Sequence, residues 1–367
     1  MIESLLELED ITLIPSVTNK GWCKDKIDIS VLDESEVTGV SKSLPIFTSP
    51  MDSIIDKDNW KVWQDSGIKP IIPRTEDLNT RLDACCFIFS AFSIEEVKQY
   101  FLDNDKRGGS NQYHICIDSG NGHDTNLISI GANLKRLYGK QIILMGGNIG
   151  NPGTYLEYAK AGFDYIRIGI ASGSLVNQEK FGFHYPMASL LSDIQNLKKG
   201  AGIGLRPVKI IADGGIRSHS DVLKAMALGA DYVMIGRQFA SLLEAAGTIY
   251  RKTKSIETGE EILDEVTGID DIAHPDELEV LDLIRLYQGN TTLEMQALRY
   301  GYSDIQRWKK SNNWKLRLVD SGSEWVKITT NLYQWLEDFK EVVKFGFMMS
   351  GASNWKEYKE NIKIGKL

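Results

Sequence analysis

Eight short apolar runs recur along the chain, each separated from the next by polar or amphipathic stretches. They are Pro45–Ser49, Pro70–Pro73, Ala84–Phe89, His114–Asp118, Gln141–Met145, Tyr165–Gly169, Lys209–Ala212 and Tyr232–Ile235. Each is brief, rich in β-branched residues and nearly continuous in apolarity, as strands buried on both faces are. Between them the spacing turns helical. Ser93–Asn104 has Ser93 as its N-cap and Glu95 and Glu96 in the first turn. Asn126–Tyr138, Thr154–Ala161, Ala188–Lys199, Ser220–Leu228 and Phe239–Tyr250 are the clearest other helices. Alternating units of this kind make a parallel sheet, and eight of them close an α/β (β/α)8, or TIM, barrel. A doubly wound open sheet is the competing arrangement, and the complete count of eight favours the barrel.

After Tyr250 the alternation stops. Residues 251–285 are acidic, with a helical patch near Leu278–Leu286. Lys315–Leu318 and Trp325–Ile328 read as a hairpin, and Asn331–Lys344 as a last helix with Trp335, Phe339 and Val342/Val343 on its apolar side. The expected organisation is one domain overall. An N-terminal segment, 1–44, precedes the barrel, 45–250; an acidic insertion and flap, 251–330, and a C-terminal helix with a closing segment, 331–367, follow it.

Composition narrows the function. A 367-residue chain with 42% hydrophobic residues can bury a substantial core. A net charge of -8 argues against nucleic acid as partner, but leaves room for a small phosphate held by backbone amides. The cysteines at 23, 85, 86 and 116 show no CxxC spacing and read as free thiols in a reducing compartment. The acidic start MIESLLELED is unlike a signal peptide, and no apolar run is long enough to span a bilayer. A soluble, cytoplasmic protein with no membrane partner and no metal site is expected.

In a barrel, the site lies where the strands end. Polar motifs cluster at those ends: Ser49-Pro50-Met51-Asp52, Asp118-Ser119-Gly120, Gly146-Gly147-Asn148, Gly173-Ser174, Asp213-Gly214-Gly215 and Gly236-Arg237. Three of these ends would converge if the sixth, seventh and eighth strands are neighbours. Ser174, the amides of Gly214 and Gly215, and Gly236-Arg237 would then surround one anion, with Arg237 able to make a bidentate contact. Asp213 is placed to accept hydrogen bonds from a ribose. It stands too early to cap the helix that follows, for which Ser218 or Ser220 is better placed. A nucleotide therefore fits better than a bare sugar phosphate.

These motifs, in this order and spacing, resemble the IMP dehydrogenase/GMP reductase family along nearly the whole chain. The matching pieces include Asp10-Ile11-Thr12-Leu13-Ile14-Pro15, Ser49-Pro50-Met51-Asp52, Gly146-Gly147-Asn148-Ile149, Ile166–Ser174, Asp213-Gly214-Gly215-Ile216-Arg217 and Tyr287-Gln288-Gly289. There is no room for the regulatory insert of most IMP dehydrogenases, so the size is closer to GMP reductase. The resemblance implies a purine nucleotide at the barrel mouth, a nicotinamide cofactor, NAD(P)H, beside it, and a homotetramer. It places Ser49 and Met51 along the purine pocket, with Asn148 and Arg167 under the base. Gly173, Ser174, Gly214, Gly215, Gly236, Arg237 and Tyr287 fall around the phosphate, Asp213 at the ribose, and Gly289 and Asn290 on the flap. Asp118, Ser119 and Gly120 face the cofactor.

The same resemblance exposes a departure. The family's loop runs Gly-Ser-x-Cys-Thr-Thr-Arg, and its Cys attacks the purine ring. Here the loop reads Gly173-Ser174-Leu175-Val176-Asn177-Gln178-Glu179, so Val176 stands at the nucleophile position. Cys116, two residues before Asp118, points inward but deeper, and reads as core. Asn177, Gln178, His184 and Glu294 are the candidates for altered chemistry; His184 serves equally as a packing residue. Arg299-Tyr300 resembles the family's water-activating pair and is as readily a chance dipeptide. Two functions stand: an enzyme acting without the covalent step, or a catalytically silent nucleotide-binding paralogue with a regulatory or hetero-oligomer role.

Overall fold

The computed structural model describes residues 5–16, 27–35, 39–103, 112–176, 182–200, 208–254, 261–266, 281–289, 292, 295–297, 305–310 and 322–367. Its centre is a parallel sheet of eight strands: β1 (Ile46–Thr48), β2 (Ile71–Ile72), β3 (Phe89–Phe92), β4 (Tyr113–Ile117), β5 (Ile142–Ile149), β6 (Tyr165–Ile168), β7 (Lys209–Asp213) and β8 (Tyr232–Ile235). The order is β1-β8-β7-β6-β5-β4-β3-β2, and a parallel bridge between Phe47 and Lys69 draws the two edges together. Barrel closure is thus the outcome, not an open sheet.

Two apolar layers hold it. Inside, Phe47, Phe89, Tyr165 and Tyr232 meet edge to face, with ring centroids 5.2–5.8 Å apart, in one cluster with Cys116, Met145 and Met234. Outside, the strands' other faces pack on α1 (Trp60–Asp65), α2 (Leu78–Ala84), α3 (Ile94–Val97), α4 (Thr125–Tyr138), α5 (Pro152–Ala161), α6 (Met187–Gly200) and α7 (His219–Ala227). Local sequence sets several boundaries. Ser93 and Glu96 form a capping box at α3, as the motif predicts, and the chain continues as a π-helical turn over Lys98–Asp103. Ser218, not Asp213, caps α7, in a second box with Asp221. Asn151 caps α5, with Pro152 in its first turn.

Three expected elements are corrected. The run Ala84–Phe89 is not a strand. Ala84 closes α2, Cys85 caps it, Phe87 is 74% exposed, and β3 begins only at Phe89. Cys85 and Cys86 therefore sit on a helix end. A six-residue apolar run does not by itself separate a buried helix end from a strand.

Phe239–Tyr250 is not a helix either. Only Arg237–Ala240 is helical, and the chain then turns into β9 (Ile249–Lys254). Arg285 explains why. Its guanidinium, 1% exposed, donates to four carbonyls of this stretch and so holds it in a non-helical turn. Nη1 donates to Ala240 O and Leu242 O at 2.9 and 2.7 Å, Nη2 to Leu243 O at 3.1 Å, and Nε to Gly247 O at 3.2 Å.

Arg285 comes from the third correction. The patch Leu278–Leu286, where described, is strand rather than helix: β11 (Leu283–Gln288). With β9, β10 (Glu261–Glu265) and β12 (Ser323–Lys327) it forms an antiparallel sheet of order β10-β9-β11-β12. Trp325 thus pairs with β11 through Leu286, whereas its expected partner Lys315–Leu318 lies outside the described residues.

The last long helix, α8 (Leu332–Ser350), extends beyond the expected Asn331–Lys344. It packs on α7, and Phe239 links its Trp335 to Trp63 of α1 at centroid distances of 5.0 and 4.7 Å. The barrel's outer layer is therefore completed by residues far beyond 250. At the chain's ends, Ile11–Ile14 pairs antiparallel with Lys363–Lys366. Among the described residues no helix is long and apolar enough to cross a membrane.

Candidate active site

A cavity of about 430 Å³ opens at the C-terminal ends of β6, β7 and β8. Parallel neighbours bring those ends together, as the sequence argument requires. Ser49, Met51, Gly173, Ser174, Asp213, Gly214, Gly215, Gly236, Arg237, Tyr287 and Gly289 all line it. Ser172, Leu175, Ile216, Arg217, Met234 and Gln238 line it as well; the first four stand inside aligned motifs that gave them no role, and the last two lie within two residues of Gly236. Val176 is in the wall.

Backbone proximity shapes the rim. Gly214 has φ +102°, and a Cβ there would lie 2.9 Å from Ser172 Cβ and 3.1 Å from the Gly173 amide nitrogen. The β6 and β7 loops touch main chain to main chain only because that side chain is missing. Gly236 is crowded in the same way: a Cβ would come within 2.5 Å of the Tyr287 hydroxyl. Tyr287 reaches this point from β11, whose end is tied to the β6 loop. Gly289 N donates to Gly322 O at 3.0 Å, and Gly322 N to Leu175 O at 2.9 Å. The inserted sheet thus supplies one wall.

Charge is concentrated in a cluster next to the cavity, its floor, of which only Asp213 lines the wall. Arg167, on β6 and 3% exposed, donates through Nη2 to Asp118 Oδ1 at 2.8 Å, and its Nη1 lies 3.9 Å from Asp213 Oδ2. Asn148 Nδ2 donates to the same Asp213 oxygen at 2.7 Å and to Gly169 O at 3.1 Å. It does so from an irregular stretch of β5 between Gly146 and Ile149. Arg74 adds a second cation, 3.9 Å from Asp118 Oδ2. Burial opposes the charge on Arg167, but its acidic neighbours outweigh it and hold the guanidinium protonated. Burial pushes the Asp213 carboxyl up, against the pull of Arg167 and Asn148. The expected Asp118, Asn148, Arg167 and Asp213 are therefore one connected cluster.

Asp118 begins a loop that His123 pins. Gly150 N donates to His123 Nε2 at 3.0 Å, so the ring proton sits on Nδ1, 2.7 Å from Thr154 Oγ1. Burial lowers the pKa of His123 and keeps the ring neutral. Gly120 has open space around it.

The expected chemistry is less well gathered. His184 Nε2 lies 2.6 Å from Glu7 Oε1, and Nδ1 lies 3.1 Å from Ile170 O. Glu7 also accepts from Met187 N at 3.0 Å, so this pair anchors the start of α6. His184 is not in the cavity wall. Asn177, Gln178, Asn290, Glu294 and the Arg299-Tyr300 pair lie outside the described residues. Of the described cysteines none lines the cavity. Cys116 is buried in the barrel interior, and that burial pushes its thiol up to about 12, so it is not a thiolate near neutral pH.

Residues 110–258 match the family model described as the IMP dehydrogenase / GMP reductase domain. Over that stretch the chain is similar to the IMP dehydrogenase/GMP reductase family. Similar proteins named GMP reductase include that of Bacillus licheniformis, 28% identical over 262 residues, 68% of this chain and 76% of the relative. The Bacillus subtilis protein has the same identity and coverage. That of Streptococcus suis is 29% identical over 254 residues, 66% of this chain and 72% of the relative.

Proposed function

We propose that this protein is a purine-nucleotide oxidoreductase that works without covalent attachment of the ring to the chain. The observation that carries the reading is the cavity itself. One wall is loop backbone, hydroxyls and an arginine suited to a phosphate, and Asp213 beside it is suited to a ribose. Ser49 and Met51 line the part of the cavity proposed for a base, and Asn148 and Arg167 contact Asp213 in its wall.

The cofactor proposed is a nicotinamide dinucleotide, NAD(P)H, held by Asp118, Ser119 and Gly120. The fit rests on the open space at Gly120 and on the Asp118 carboxylate, whose lone pairs can accept ribose hydroxyls while Arg167 holds it. When bound, it supplies or takes up hydride. The chain's part is placement. Val176 offers an apolar contact where an attacking group would stand, and the Arg167 cluster fixes the floor. Asn177, Gln178, His184 and Glu294 stay the candidates for moving protons. A homotetramer in the cytoplasm is part of the same proposal.

Val176 in the cavity wall and His184 tied to Glu7 also favour a second reading, a nucleotide-binding protein without turnover. One experiment separates the two. Thermal shifts are recorded with GMP, IMP, XMP and AMP, alone and with NADPH or NAD, and NAD(P)H absorbance is followed in the mixtures that stabilise. Turnover supports the enzyme. Stabilisation by a nucleotide without turnover, even in Val176→Cys, supports the binding protein. Stabilisation by no purine nucleotide overturns both.

A further inference from the structure

A carboxylate of the chain's own lies against two residues on the phosphate side of the cavity. Glu324 Oε1 receives Arg237 Nε at 2.8 Å, and the Ser174 hydroxyl donates to the same oxygen at 3.4 Å. Glu324 stands on β12 directly opposite Tyr287 of β11, so both side chains leave the same face of the inserted sheet. Tyr287 reaches Gly236, and burial, followed by the charges of Asp213 and Glu324, keeps its hydroxyl protonated. Glu324 is thus an oxyanion placed where the anion-facing groups of the β6 and β8 ends converge. The other arginine in the cavity wall, Arg217, is matched as well, by Glu9 at 2.9 Å. Among the described residues, each arginine of the rim carries its own acid.

We propose that Glu324 sets this site's discrimination between phosphorylated and unphosphorylated ligands, by opposing a phosphate dianion at Ser174 and Arg237. A nucleoside does not meet the carboxylate's charge; a nucleoside monophosphate must push it aside or bind beside it. The Arg237–Glu324 pair is 55% and 34% exposed. Exposed pairs of this kind are weak, so phosphate enters the subsite, but with reduced affinity. The inference rests on reading this wall as an anion subsite, and inorganic phosphate tests that wall without a purine.

The experiment measures binding of inorganic phosphate, GMP and guanosine by calorimetry, at low and high salt, to the full chain and to Glu324→Gln. Glu265→Gln, an exposed carboxylate on β10, controls for net charge. The expected result is phosphate and GMP binding about 5- to 10-fold tighter in Glu324→Gln, a gain that shrinks with salt, while guanosine changes less than about 2-fold. An equal gain for guanosine, an equal gain in Glu265→Gln, no change, or weaker phosphate binding would each overturn the inference. So would the absence of phosphate binding in both forms. A gain for phosphate with no binding of GMP or guanosine leaves the inference standing and removes the purine reading.

Discussion

On the β6–β8 side of the cavity, main-chain atoms, hydroxyls and two exposed ion pairs lie at the opening. On the floor, Asp118, Arg167, Asn148 and Asp213 are joined below the surface by short contacts. The two regions differ in what a change would cost. Rim groups can exchange protein partners for water or a ligand anion at little expense. Floor groups cannot, because removing one partner leaves a buried charge without compensation. The floor therefore fixes geometry, and the rim is where ligand preference is adjusted. Glu324 is an instance of that adjustment.

The comparison breaks first at Arg167. Arg167→Met strands two carboxylates and should destabilise the fold by about 3–5 kcal/mol, read as a lower denaturant midpoint. A midpoint close to wild type would mean that the floor does not act as a clamp. Gly214→Ala comes next. It forces a side chain into a left-handed conformation against Ser172 and should cost about 1–3 kcal/mol. Its diagnostic effect is loss of inorganic phosphate binding, and a variant that binds phosphate normally would detach the rim from anion recognition.

The smallest effect concerns His123, whose folded pKa lies below its ordinary 6.5 because burial disfavours the charged ring. The unfolded chain then takes up the proton first. Its contribution to stability is complete above about 6.5 and is lost as pH falls toward the folded value. His123→Gln should remove this part of the acid slope in unfolding titrations. An unchanged slope would show that the pinned loop does not report on pH.

Much of the barrel was legible because local chemistry and hydrophobic period agree. Tyr232–Ile235 and the Ser93 and Ser218 caps are where short-range rules place them. Ala84–Phe89 misled because a helix end buried on one side and a strand share the same apolar letters. Phe239–Tyr250 misled for a different reason. Its residues favour helix, yet Arg285, 35 or more residues later, satisfies the carbonyls of a turn instead. Glu324 carried no signal at all, since an exposed acid in a β-strand has no local pattern that separates it from any other surface charge.

By itself the sequence determined most of the strand repeat, the glycine- and serine-bearing strand ends, and the family they resemble. Those follow from side-chain period, turn chemistry and the order of short motifs, all of which act over a few residues. Only the tertiary structure decided that Asp118, Asn148, Arg167 and Asp213 form one charged floor, that His184 serves Glu7, and that β11 and β12 bring Tyr287 and Glu324 to the rim. These depend on groups up to 177 positions apart meeting at hydrogen-bonding distance. Such meetings are set by the closed barrel and the sheet docked on it, because burial and electrostatics act on distance in space rather than along the chain.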